Sequence, residues 1–406
     1  MNVIFLTLVE INSIEDRGIY HDLLRKFRDE GHDVTIVTPK ERRNGVSTNY
    51  CKKEGVSILQ VKTLNIQKTN FIEKGIGTLA IEYQYLWAIK EHLATKKFDL
   101  ILYSTPPITL VKVIQFLKIR DNSKSYLLLK DIFPQNAVDM KLISEGSLLF
   151  KFFRKKERLL YEVSDKIGCM SQANVDFVLT HNSNLNANKV EINPNSIDVK
   201  CYNELSFEEK NEIKNKYSIP LERKTLIYGG NLGKPQGIDF LIETLICMKN
   251  DLDIYFVIVG SGTEYFKIEN FINKEKLQNV KLISELKKKD FDELVMVCDI
   301  GLILLDKNFT IPNYPSKLLS YLEFKMPVLS ATDANTDIGL DLINNNCGIA
   351  VISDNVNQIK NAINRFKVMS DEDFQLMRNN SYKFLESNFK VEYSYKKIVR
   401  SLQVFV

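Results

Sequence analysis

The chain is 406 residues long, with 44% hydrophobic and 26% charged residues and a formal net charge of +4. That length exceeds one ordinary core and suits two domains, and the composition excludes a disordered chain. So thin a positive charge gives no footprint for nucleic acid, while an acidic substrate or an anionic membrane surface stays open.

In chain order, residues 3–8 form an apolar run without alternation, as in a strand buried on both faces. Glu10 breaks the run and no basic segment precedes it, which predicts a first strand rather than a signal peptide. No stretch reaches the roughly 18 apolar residues of a membrane span. The expected location is therefore cytoplasmic, with peripheral contact on the inner face of the plasma membrane as the remaining membrane role. The six cysteines form no CxxC pair and are expected to be free, mostly buried thiols. After a polar loop ending at Gly18, helical spacing of Ile19, Leu23, Leu24 and Phe27 predicts a helix closed by Gly31, then a strand at 34–37. The alternation continues with a helix at 79–93, a strand at 100–103, a helix at 110–117, a strand at 127–129 ending at Lys130-Asp131, a helix at 148–163 and a strand at 166–170. The Ile-Asn-Pro-Asn-Ser-Ile-Asp stretch at 192–198 breaks the rhythm and is expected to be a linker. A second series follows, with strands at 225–228, 254–259, 280–283, 300–305, 328–331 and 349–352, and helices at 238–248, 290–297 and 316–324 among them. Such alternation predicts an α/β fold of two Rossmann-like, doubly wound parallel-sheet domains, at 1–195 and 196–390. A last amphipathic helix within 391–406 is expected to cross back to the first domain.

Glycines cluster directly after two strands of the second series, Gly229, Gly230 and Gly233 in one loop and Gly260 and Gly262 in the other. Glycine lets backbone N–H groups approach a diphosphate, and a following helix adds partial positive charge; the bland alternative is an ordinary strand–turn–helix corner. The second loop lacks the third glycine of a dinucleotide fingerprint, because Glu264 stands there. Four segments in order, 18–38 with Gly31-His32-Asp33-Val34-Thr35, Pro194-Asn195-Ser196-Ile197-Asp198, 228–239, and 313–322 followed by Pro327-Val328, resemble the retaining glycosyltransferase family 4, of the two-domain type called GT-B. The segment Asp131-Ile132-Phe133-Pro134-Gln135-Asn136-Ala137 is similar to O-antigen and capsule transferases of the N-acetylfucosamine type.

The resemblance implies an enzyme whose two domains face a cleft. It implies a nucleotide-sugar donor, UDP-linked, and a polyprenyl-diphosphate-linked saccharide acceptor. Donor-side residues would be Gly229, Gly230, Asn231, Gly233, Lys234, Gln236, Gly260, Gly262, Lys317 and Ser320. Two positions depart from the family: Asn231 and Gln236 stand where many members carry Arg and Lys. Ser320 likewise stands where much of the family has a ribose-binding Glu, and Pro312 replaces a second glutamate. Lys317, in the first turn of a helix started by Pro315 and Ser316, would then carry the diphosphate grip. Asp131, past the end of a strand, would bind a sugar hydroxyl or stabilise developing positive charge, or else merely cap its own turn. On the acceptor side stand Gly18 and His21.

No metal-ligand cluster is visible, so no metal and no other cofactor is expected; Asp251-Leu252-Asp253 is taken as a solvated turn. In the helix at 148–163, Lys151, Arg154, Lys155 and Arg158 share one face beside Leu149, Phe152, Phe153 and Leu160. That face would either seat on an anionic membrane or stay solvated over a helix packed on its sheet. Two other functions remain open at this level, a GT-B-fold UDP-sugar 2-epimerase and a non-catalytic sugar-nucleotide-binding subunit.

Overall fold

The computed structural model describes residues 1–66 and 71–403. The chain divides into two compact units, residues 1–198 with 391–406, and residues 199–390. Among the described residues no helix is long and apolar enough to cross a membrane.

The strands of the first unit are β1 (Asn2–Leu6), β2 (Asp33–Glu41), β3 (Asn49–Lys53), β4 (Val56–Thr63), β5 (Leu100–Ser104), β6 (Lys124–Leu129), β7 (Lys166–Cys169) and β8 (Val190–Ile192). They pair in the order β3-β4-β2-β1-β5-β6-β7-β8. β1 is parallel to both neighbours, with Val3 opposite Val34 and Leu100. Its side chains Val3, Ile4, Phe5 and Leu6 are all fully buried, which is why the run is continuously apolar. The sheet is not wholly parallel as expected: β3 and β4 form an antiparallel hairpin at its edge, with Cys51 opposite Ile58. Glu54 and Gly55 both sit at positive φ between them, the conformation of a tight two-residue hairpin turn. Lysines on β3 suit an exposed edge and mask the strand from an apolar reading.

The stretch at 192–198 is no linker. Asn193, Asn195, Ser196 and Ile197 are buried. Asn193 N bonds Cys169 O at 2.7 Å, and Asp198 N bonds the Asp22 carboxylate at 2.9 Å. Proline and asparagine here make a packed turn at the end of β8, so the unit boundary falls after Asp198. The terminal helix Val391–Ser401 packs on the helix Ile19–Asp29: Val391, Tyr395 and Ile398 share a core cluster with Phe27, and the Tyr395 hydroxyl lies 2.9 Å from His32 Nε2.

The second unit has β9 (Lys224–Gly229), β10 (Ile254–Val259), β11 (Val280–Ile283), β12 (Ile300–Leu304), β13 (Val328–Thr332) and β14 (Gly348–Ile352). All are parallel, in the order β11-β10-β9-β12-β13-β14. Leu226, Tyr228, Phe256, Ile258, Leu302 and Leu304 bury one face of this sheet against helices that include Ile238–Cys247 and Val356–Val368. The chain builds β9 to β11 in one direction, then crosses back to lay β12 on the other side of β9. The topological switch point therefore lies between β9 and β12, where ligands of open α/β sheets bind beyond the carboxyl ends of the strands.

Candidate functional site

The loop after β9 lies at this switch point. Tyr321, fully buried on the helix Lys317–Glu323, fixes where it begins: its hydroxyl lies 3.1 Å from Gly229 N and 3.2 Å from Ile227 O. Gly230 N then bonds Val259 O at 3.0 Å, and Leu232 N bonds Ser261 O at 2.9 Å, tying the first glycine loop to the second. The approach is too close for side chains. A Cβ on Gly260 would lie 1.8 Å from Gly230 O, and one on Gly262 would lie 2.7 Å from Asn231 Oδ1. On the other side Asp306 N bonds Pro235 O at 3.1 Å, anchoring the loop to the end of β12.

Lys317 reaches into this loop. Its Nζ donates to Gln236 Oε1 at 3.0 Å and lies 3.8 Å from the centroid of the Tyr228 ring, a cation–π contact. It also comes within 3.8 Å of where a Gly230 Cβ would stand, so the ammonium borders the glycine backbone directly. Burial of this ammonium lowers its pKa from 10.5 to about 7. The Tyr228 hydroxyl is 3.2 Å from Gln236 Oε1 and 3.0 Å from Asn231 O, which orients the amide that receives the lysine. Gly229, Gly230, Asn231, Gln236, Gly260, Gly262 and Lys317 are thus brought together. The Gly229, Gly230 and Leu232 N–H groups are taken by protein acceptors, so what this arrangement offers an anion is one desolvated cation against a glycine backbone with no side chains in the way.

Other expected details differ. Lys234 is exposed at the head of the short turn Lys234–Gln236, which separates Gly233 from the helix; that helix begins at Ile238, with Gly237 at its cap in the left-handed region. The helix thus begins where the sequence places it, at Ile238, with the short turn standing between its end and the glycines. Ser316 makes no capping hydrogen bond. Ser320 stands one turn after Lys317, half-buried. Glu323 is turned away: it accepts from Lys200 N at 3.0 Å and lines a separate 710 Å³ cavity with Cys201 and Tyr382. Tyr228 and Tyr321 escaped the sequence reading, because both read simply as apolar core positions. The signal was their place beside the glycines and on the lysine's helix.

In the first unit Asp131 follows β6. Its backbone N–H bonds Thr105 Oγ1 at 3.1 Å, and the Asn136 amide donates to both carboxylate oxygens at 2.7 Å. The carboxylate is thus oriented by a residue five positions on. Tyr20 is buried nearby, and burial, with the charge of Asp131 adding to it, raises the Tyr20 pKa to about 12. Gly18 caps the helix Ile19–Asp29, where a Cβ on it would lie 2.9 Å from His21 Nδ1. Burial lowers the His21 pKa, so the imidazole is neutral at pH 7. Asp22 was missed. It is buried, bonds Gly18 N at 3.3 Å and Asp198 N at 2.9 Å, and pairs with Arg25 at 2.5 Å, so one carboxylate organises this corner. An acidic residue in the first turn of the helix was the available signal.

Asp251 and Asp253 both pair with Lys367, at 2.8 and 3.1 Å. Among the described residues no group of three or more His, Cys, Asp or Glu is placed to hold a metal. The cysteines are free, but Cys169, Cys298 and Cys347 alone are buried.

Residues 209–384 match the family model described as Glycosyl transferases group 1. The chain is 20% identical over 273 residues to "Probable glycosyltransferase WbjE" of Pseudomonas aeruginosa, covering 67% of this chain and 66% of that protein. The aligned part thus spans slightly under two thirds of that relative's length. Among solved structures it is similar to WaaG, a glycosyltransferase involved in lipopolysaccharide biosynthesis, with a TM-score of 0.68 at 14% identity, covering 98% of this chain and 99% of that one. It is also similar to Anabaena HepE in complex with UDP-glucose, with a TM-score of 0.70 at 14% identity over 100% of both chains. These likenesses show the fold, two Rossmann-like α/β domains of the GT-B type, with residues 209–384 similar to group 1 glycosyl transferases.

Proposed function

We propose that this enzyme moves a sugar from a UDP-sugar to a polyprenyl-diphosphate-linked saccharide during assembly of a surface polysaccharide, capsule or O-antigen, with retention at the anomeric carbon. The carrying observation is Lys317 Nζ bordering the Gly230 backbone at the switch point of the second unit. A diphosphate there would meet the ammonium, and its negative charge would be stabilised as it leaves. The likeness to HepE, whose structure holds UDP-glucose, and to WaaG, named for lipopolysaccharide biosynthesis, supports the choice of donor and product class.

Retention needs no protein nucleophile on this reading. The acceptor oxygen bonds the anomeric carbon as the bond from that carbon to the diphosphate oxygen breaks, on the same face. The acceptor proton passes to the departing phosphate. Lys317 holds the leaving charge, and Asp131 is proposed to stabilise the oxocarbenium-like transition state or to hold a sugar hydroxyl. The reaction is proposed to run without a metal, because Lys317 supplies the charge a cation would otherwise bring.

The test is a thermal-shift panel of UDP-, GDP- and ADP-sugars. A ligand that binds the native state raises the melting temperature as its concentration exceeds the dissociation constant. Stabilisation by the UDP series alone supports the reading. No response to any UDP ligand overturns it.

A further inference from the structure

The helix Phe71–His92 of the first unit breaks the usual rule for a helix at a protein surface. Its inner side is covered: Ile81, Tyr85, Ala88 and Ile89 are fully buried. Its outer side carries Ile76, Leu79, Tyr83 and Trp87, spaced three, four and four residues apart along one stripe. Tyr83 is 56% and Trp87 63% exposed, and Ile76 and Leu79 are exposed as well. An apolar helix face of three turns facing outward marks a surface that something covers.

Glu82 shows what lies beside the stripe. It is buried, accepts from Lys112 N at 2.7 Å, and takes Lys156 Nζ at 3.4 Å. One carboxylate therefore draws together the helix Phe71–His92, the start of the helix Val111–Asp121, and the helix Leu148–Val163. The Lys112 ammonium also donates to the Tyr83 hydroxyl at 2.6 Å. On the third helix Phe152 precedes Lys156 by one turn on the same side, and Phe152, Leu149 and the 86% exposed Leu148 all face outward. The expected apolar stripe of this helix is split: Phe153 and Leu160 turn into the core, while Leu148, Leu149 and Phe152 join the outer surface. Its basic face is also corrected. Lys151, Lys155 and Arg158 are exposed, but Arg154 turns inward to pair with Glu157 and to reach the carbonyl of His181.

We propose that these three helices form a docking face for an anionic lipid bilayer, with Tyr83, Trp87 and Phe152 entering the headgroup region. Lys112, Lys151, Lys155 and Arg158 would lie against lipid phosphates. Charge complementarity selects this occupant. Cations around an apolar aromatic centre match a negative membrane surface, and Tyr and Trp have the amphipathic rings that settle at its interface. A second copy docked through the same face would set the cations of both copies against each other. The inference rests on the proposed use of a lipid-linked acceptor for its purpose, and UDP titration keeps the two questions apart.

Trp87 is the sole tryptophan of the chain, so its emission reports this face alone. The protein is mixed at low salt with phosphatidylcholine vesicles, with or without phosphatidylglycerol, and sedimented. The expected result is co-sedimentation with the phosphatidylglycerol vesicles only, accompanied by a blue shift of Trp87 emission. Tyr83→Ser with Trp87→Ser, and separately Lys151→Glu, Lys155→Glu and Arg158→Glu together, should each weaken vesicle binding roughly tenfold or more. Both variants should keep the wild-type response to UDP, which certifies their folding. Wild-type protein that ignores the anionic vesicles overturns the proposal. So does vesicle binding that leaves Trp87 emission unmoved, or a lipid-free dimer whose formation shifts that emission. Loss of the UDP response with vesicle binding intact would instead remove the donor reading and leave the docking face standing.

Discussion

The Lys317 ammonium donates to Gln236 Oε1 at 3.0 Å, so the neutral amide that stands where the family resemblance leads one to look for a second cation holds the first one in place. A lysine at position 236 would repel Lys317 at this distance. The amide oxygen instead accepts a hydrogen bond from it and leaves its charge available to a ligand.

That pairing makes donor binding depend on pH. Burial holds the Lys317 pKa near 7 in the empty site, and a diphosphate beside it favours the charged form and raises that value. Binding above pH 7 therefore takes up a proton, and UDP affinity should fall by up to about tenfold per pH unit as pH rises above 7. For the empty protein the sign is opposite. Between pH 7 and the unfolded value of 10.5 the unfolded chain binds more protons, so this group favours folding more as pH rises. Calorimetry in buffers of different ionisation enthalpy measures the proton uptake. Uptake of none at pH 8 refutes the linkage.

Replacing Lys317 by alanine should weaken UDP binding by about 1.5–3 kcal/mol, the range of a charge-assisted hydrogen bond, and abolish the proton uptake. Gln236→Glu should also abolish the uptake, because a carboxylate at 3.0 Å keeps the lysine protonated in the empty site. Unchanged affinity in the Ala variant takes Lys317 out of the site.

Asp131→Asn is expected to lower turnover by a hundredfold or so while leaving UDP affinity within about twofold. Asn136→Ala frees both carboxylate oxygens from the amide that orients them and should produce a smaller loss of the same kind. Steady-state rates alongside UDP calorimetry check both. Normal turnover of the Asn variant leaves Asp131 as a residue that only shapes its turn.

Gly260→Ala should destabilise the second unit by about 3 kcal/mol and remove UDP binding, since its Cβ would stand 1.8 Å from Gly230 O and the two loops must separate. Urea unfolding followed with and without UDP measures both. A stable variant that still binds UDP would mean that the loops yield more easily than their hydrogen bonds imply.

Turnover should survive EDTA. Asp251 and Asp253, the pair most like a metal motif, are both engaged by Lys367. Loss of activity on chelation, restored by magnesium or manganese, would overturn this.

The sequence by itself determined the six strands of the second unit and their glycine loops, while β3, β4 and β8 of the first unit were not read from it. Residues 254–259 are a strand to the residue, because a parallel strand buried on both faces reads as an unbroken apolar run; 280–283 matches as well, a half-buried edge strand whose run Lys281 interrupts. The switch-point loops were legible for the same local reason, since only glycine tolerates a carbonyl 1.8 Å from its Cβ position. Only the tertiary structure decided which partners these residues meet. Lys317 and Gln236 are 81 residues apart, and strand order alone brings them together. The turn at 193–197 is buried, because its backbone continues the pairing of β7 and β8. Arg154 lies in the same row of cations as its neighbours, yet Glu157 and the His181 carbonyl draw it inward, and nothing in the helical periodicity distinguishes it. The helix Phe71–His92 is apolar on nearly every side, so periodicity could not say which side the sheet would cover. Packing chose the side of Tyr85 and Ile89 and left Tyr83 and Trp87 outside, because a sheet can bury only one face of a helix laid on it.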